Sequence, residues 1–76
     1  MNDDPVRGFL EDELPGVPLS DDDELLQPGR LDSLGVVRLV ATIEDHYGIT
    51  IEQDEIHPAN FKNVGTVRAL IARKRA

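Results

Sequence analysis

Across residues 34–47 the apolar side chains Val36, Leu39, Val40, Ile43 and Tyr47 recur at i, i+3, i+4, i+7 and i+11, with no proline among them. That spacing lines one face of an α-helix and predicts the longest helix of the chain with its main buried stripe. Leu34, Val37 and Ala41 fall roughly 100 to 160° around the same wheel, a second apolar patch outside the stripe. Such a patch beside an exposed helix start reads as a partner surface. Gly48 is the expected stop of this helix. At its other end either Asp32 or Ser33 supplies the N-cap.

Three other stretches show helical signals. Asp4 followed by Pro5 is an N-cap and a first-turn proline, and Val6, Phe9, Leu10 and Leu14 form a short stripe that Pro15 and Gly16 terminate. Asp3 and Asp4 both suit the positive end of that helix. Residues 57–61 allow about one turn, with Pro58 at its first position and Phe61 as a buried anchor beside Ile56. Thr66 is the expected cap of a last helix with Val67, Leu70 and Ile71 inside and Arg68, Arg73, Lys74 and Arg75 outside. Residues 49–51 alternate but have no strand partner, so they read as a loop that tucks in Ile49 and Ile51.

Residues 15–31 hold three of the five prolines and no sustained period. A connection of that length in a small domain is functional or pinned, and Leu19, Leu25, Leu26 and Leu31 are the candidate pins. The reading is an all-α fold: a single domain over residues 1–76, a four-helix bundle with three main helices, one short helix and a long first loop. Its core is expected to join Val36, Leu39, Val40, Ile43 and Tyr47 to Phe9, Leu10, Phe61, Leu70 and Ile71.

Seventy-six residues leave little room for a deep catalytic cavity, and a chain this short normally needs a staple. The absence of cysteine removes disulfides and thiolate metal sites, so helix packing must hold the fold. Fifteen acids against eight bases give a net charge of −7. That balance argues against nucleic acid and anionic membranes and either favours basic partner surfaces or serves solubility. No stretch approaches a membrane span or a secretory leader, so a cytoplasmic monomer is expected. Residues 1–24 carry nine acids and one base, while 61–76 carry five bases and no acid, so the two ends attract one another, though exposed pairs contribute little.

The run Ser20-Asp21-Asp22-Asp23 lacks the alternating ligands, central glycine and distal glutamate of a calcium loop and reads as a solvated turn; no metal site is expected. Ser33 needs an adjacent base to act as a nucleophile. His46, thirteen residues on, is about three and a half turns away, and His57 follows an irregular segment. A serine hydrolase is therefore disfavoured, and no enzymatic activity is expected.

The Leu31-Asp32-Ser33-Leu34 run at a helix start, the Tyr47-Gly48-Ile49-Thr50-Ile51 ending, Phe61 after Pro58 and the Thr66 entry to the last helix together resemble an acyl or peptidyl carrier protein over nearly the whole chain. The resemblance implies that Ser33 carries 4'-phosphopantetheine. It also implies that Asp32 helps a phosphopantetheinyl transferase recognise the site and that acyl, aminoacyl or peptidyl cargo is held as a thioester. A phosphodiester at Ser33 gains from the helix dipole and first-turn N–H groups. The expected partners are that transferase, a cargo-activating ligase, adenylation enzyme or acyltransferase, and downstream biosynthetic enzymes, met through Leu34, Val37, Arg38 and Ala41.

Fatty-acid carriers continue after Ser-Leu with acidic residues along the second helix, whereas Gly35 and Arg38 stand here. That departure leans the reading toward amino-acid, peptide or polyketide biosynthesis, with a fatty-acid carrier as the alternative. A different class is a helical adaptor that is never modified and binds a partner helix through Leu34, Val37 and Ala41. The near-complete pattern within 76 residues leads to the expectation of a free-standing domain.

Overall fold

The computed structural model describes residues 4–76; Asp3 lies outside them. Three α-helices follow one another: α1 (Pro5–Glu13), α2 (Ser33–Tyr47) and α3 (Val64–Arg75), with a 3₁₀ turn at Gln53–Glu55 between the last two. There is no strand among the described residues.

Each helix starts where a polar side chain replaces a missing backbone partner. The Asp4 carboxylate accepts from the N–H groups of Val6 and Arg7 ahead of Pro5. Asp32, not Ser33, caps α2, its Oδ1 accepting from Gly35 N at 2.8 Å. α3 begins three residues earlier than expected. Asn63 Oδ1 accepts from Thr66 N at 2.8 Å while Thr66 Oγ1 accepts from Asn63 N at 3.1 Å, so Thr66 is the returning partner of a reciprocal cap. Gly48 ends α2 at φ 67°, a left-handed position that glycine occupies at no steric cost.

The short helix also differs. The helical assignment falls on Gln53–Glu55, and residues 57–61 form successive turns, with Asn60 N on His57 O at 3.0 Å and Phe61 N on Pro58 O at 3.2 Å. Asn60 is drawn out of regular structure because its Nδ2 donates to Glu55 O at 2.8 Å and its carbonyl accepts from Thr66 Oγ1 at 3.2 Å.

The core gathers Val6 and Leu10 of α1, Val36, Leu39, Val40 and Ile43 of α2, and Val64, Val67, Leu70 and Ile71 of α3 around Phe61, Ile51, Leu25 and Leu31. Phe9 and Tyr47, expected inside, are half-buried at its edge. The Arg75 guanidinium lies 4.9 Å from the centre of the Tyr47 ring, which holds the end of α3 against the end of α2. Of the four loop leucines, Leu25 and Leu31 are buried, Leu19 is half-buried and Leu26 is exposed.

Backbone bonds tie the loop down. Leu25 N donates to Lys62 O at 2.7 Å, and Leu31 N donates to Leu25 O at 2.8 Å. Asp21, expected in a solvated turn, is a junction. Its carboxylate takes Arg7 at 2.5 Å and Arg68 at 2.8 Å, and its carbonyl accepts from Gly65 N at 3.3 Å.

Candidate functional site

Ser33 is the first residue of α2 and its side chain is exposed. An α-helix leaves its first-turn N–H groups without carbonyl partners. Here the Asp32 side chain takes Gly35 N and the Asp32 carbonyl takes Val36 N at 3.0 Å. The Ser33 and Leu34 N–H groups remain at the positive end of α2, beside the hydroxyl, where an anion is favoured.

Next to Ser33 lies an open groove of about 300 Å³ walled by Leu26, Val36, Val37, Ile56, Pro58 and Phe61, with His57 at its edge. The exposure of Leu26 thus has a structural reason: its side chain forms one wall instead of pinning the loop. His57, placed by the sequence at the start of a short helix, shares this groove with Ser33. Its Nδ1 accepts from Ala59 N at 3.3 Å, so one ring nitrogen is committed to its own turn. His46 is exposed at the far end of α2, packed edge-on to Tyr47.

The second apolar patch of α2 faces away from the core. Leu34 and Val37 are each 57% exposed and Ala41 is exposed beside them. Arg38, expected among the partner contacts, is exposed beside this ridge, and its guanidinium pairs with Glu13 at the end of α1, at 3.1 Å. Three acids close α1 with no base in its last turn. That is an unfavourable end for anions, and Arg38 offsets it from the neighbouring helix.

Away from Ser33, ion pairs join the acidic first half of the chain to α3. Arg68 holds both Asp4 and Asp21, and Lys74 holds Glu55 at 2.8 Å. Partial burial pushes the Asp4 carboxyl up, but the hydrogen bonds from Arg68 and the N–H groups of Arg7 and Val6 outweigh it and hold Asp4 below its ordinary value. The hydrogen bond from Lys74, with the N–H of Glu52, lowers Glu55, and the same bond raises Lys74.

A serine hydroxyl thus stands exposed at a capped helix start, with an apolar groove alongside. No acid or base is buried among the described residues. Across residues 6–73 the chain matches the family described as "Phosphopantetheine attachment site". The protein belongs to this family of carrier domains. The carrier is 32% identical over 66 residues to "Aminoacyl carrier protein 1" of Bradyrhizobium diazoefficiens, a match covering 87% of this chain and 72% of that protein. Among solved structures it resembles a chain of "Crystal structure of FAD-dependent dehydrogenase" with a TM-score of 0.77 and 40% identity, covering 88% of this chain and 97% of the other.

Membership makes the protein a non-catalytic carrier with a covalent 4'-phosphopantetheine group, working with a modifying transferase and biosynthetic enzymes. The first turn of α2 fits such a group: an exposed hydroxyl, two N–H groups suited to a phosphodiester, and an apolar groove suited to an alkyl arm. When bound, the group supplies the thiol that a cysteine-free chain lacks. None of the described helices is long and apolar enough to cross a membrane.

Proposed function

We propose that Ser33 is the attachment point and that the carrier handles amino-acid cargo in the cytoplasm. The observation that carries the attachment is the exposed Ser33 hydroxyl at the first position of a helix capped by its neighbour Asp32. In the loading step the Ser33 Oγ–P bond forms and the pyrophosphate P–O bond of coenzyme A breaks. Adenosine 3',5'-bisphosphate leaves, and the hydroxyl proton passes to a base of the transferase. Asp32 has two compatible roles in this reading, holding Gly35 N and marking the site for the transferase. Leu34, Val37 and Ala41 form the surface on which the transferase and the cargo-activating enzyme dock.

The likeness to an aminoacyl carrier protein supports amino-acid cargo, as does the absence of acidic residues from the first turns of α2. The likeness to a chain from a dehydrogenase crystal structure supports a second element: an FAD-dependent dehydrogenase as a downstream partner. The matched chain is of about this chain's size, too small to hold a flavin enzyme's own core.

The test is incubation with coenzyme A, magnesium and a broad-specificity phosphopantetheinyl transferase, followed by intact-mass spectrometry. Wild type gains one phosphopantetheine and Ser33→Ala gains none while keeping its helical circular dichroism. Modification that persists in Ser33→Ala assigns the site elsewhere, and a wild type that is never modified favours the unmodified adaptor. Loading of the modified carrier with individual amino acids by its activating enzyme then tests the cargo.

A further inference from the structure

Gly35 occupies the third position of α2, where a capping box ordinarily carries Glu or Gln and where any helix former would stabilise the turn better than glycine does. Its backbone does not require glycine, since the positive φ angles of the described glycines are at Gly16, Gly29 and Gly48. The requirement is space. A Cβ at position 35 would lie 3.0 Å from Leu31 Cδ2, 3.3 Å from Asp32 Oδ1 and 3.6 Å from Leu31 Cβ. Leu31 is buried, so its methyl group has to give by a few tenths of an ångström against core neighbours. Its N–H is fixed to Leu25 O, and Leu25 is fixed in turn to Lys62 O. The end of the long loop is therefore clamped against the first turn of α2 at the one residue with no side chain, and the same residue's N–H is held by Asp32.

We propose that Gly35 is a positioning residue for modification of the carrier: its missing side chain lets Leu31 and the Asp32 carboxylate close on the first turn and so present the Ser33 hydroxyl in a single geometry. This inference rests on the assignment of Ser33 as the acceptor. Gly35→Ala inserts a methyl group between Leu31 and Asp32, loosens the cap and displaces Ser33. At the same time it raises the helical propensity of the turn. Loading efficiency and thermal stability are thereby expected to separate, which a merely structural role would not produce.

The experiment measures kcat and KM for transfer from coenzyme A by one phosphopantetheinyl transferase to wild type, Gly35→Ala, Leu31→Val and the double variant, with melting temperature and hydrogen exchange of the residue-35 amide recorded on the same unmodified proteins. The expected result for Gly35→Ala is a kcat lower by about tenfold, as a misplaced reacting group would give, with little change in KM. Its melting temperature should be unchanged or higher and its residue-35 amide should exchange faster. The double variant should recover most of the rate, because Leu31→Val removes the methyl group that the new Cβ meets. Wild-type kcat and wild-type exchange in Gly35→Ala overturn the proposal. So does a rate loss that follows a fall in melting temperature and is not recovered by Leu31→Val. A Ser33→Ala control that still gains mass refutes the acceptor assignment instead, and the exchange data still report whether position 35 governs the cap.

Discussion

Arg38 on α2 reaches Glu13 at the end of α1, with 3.1 Å between its Nη1 and the carboxylate. The pair gives a residue expected at a partner surface a second role, as a tie between two helices. Arg38→Glu sets two carboxylates against each other at an exposed position. Its melting temperature should fall by less than about 8 °C, the scale of a surface pair in a small domain, and adding Glu13→Arg should restore it. A loading defect with the cognate activating enzyme that survives the charge swap would assign Arg38 to the interface; one that disappears with the swap would assign it to the tie.

Val37 gives the cleaner probe of docking, because it is 57% exposed and belongs to no ion pair. Val37→Asp should retain the helical signal and melting temperature while lowering the initial rate at which the modified carrier is charged. Moderate salt should change that rate little, since an apolar contact is not screened. If charging proceeds at the wild-type rate, docking lies on another surface.

Phe61 lies at the opposite extreme, in the core with 1% of its surface exposed and its N–H bonded to Pro58 O. Truncating a buried aromatic costs ~3 to 5 kcal/mol, as much as the core of a domain this size supplies. Phe61→Ala should therefore be largely unfolded at 25 °C by circular dichroism, and a wild-type melting curve would contradict the packing described.

Acid should weaken the fold through Asp4. Its carboxyl is held below the ordinary value of 3.8 chiefly by Arg68, against the opposing effect of burial. A depressed carboxyl contributes stability that is present above the unfolded-state pKa and is lost as pH falls through the folded-state value, so the loss sets in below about pH 4. Arg68→Gln should lower stability at neutral pH and flatten this acid limb in urea titrations. Lys74 behaves inversely: its hydrogen bond to Glu55 raises it above 10.5, and that contribution is complete below this value and disappears at higher pH.

The parts of the fold that periodicity and capping chemistry encode were legible in the sequence. The stripe of α2, the Asp4-Pro5 start and the Gly48 stop follow from residues close together in the chain, whereas the four loop leucines could not be told apart: Leu25 and Leu31 are buried and Leu26 is exposed. What the sequence obscured depends on distant partners. Thr66 reads as the cap of α3, and only its reciprocal bonds with Asn63 reveal Asn63 as the cap and Thr66 as the responder. Arg38 and Arg68 read as outward charges because Glu13, Asp4 and Asp21 stand 25, 64 and 47 residues away. At the site, Ser33 and Asp32 could be singled out from their place at a helix start. The groove could not, since Leu26, Ile56, His57 and Pro58 meet α2 only after two loops have closed.

The tethers at Asp21 and Leu25 divide the long first loop into segments that bear changes in length differently. Residues 26–30 form a closed ring, because Leu31 N returns to Leu25 O and Arg30 N bonds Gln27 O inside it. Lengthening such a ring adds only about 0.6 kcal/mol of closure entropy per doubling, and its ends stay where they are. Extra residues spliced next to Gly29 would extend this exposed turn outward without shifting Asp32 or Ser33. The span from Asp21 to Leu25 is bound instead to other parts of the chain, with Asp21 O on Gly65 N in the first turn of α3 and Leu25 N on Lys62 O just before it, so a change of length there that strains either bond is felt at the start of α3.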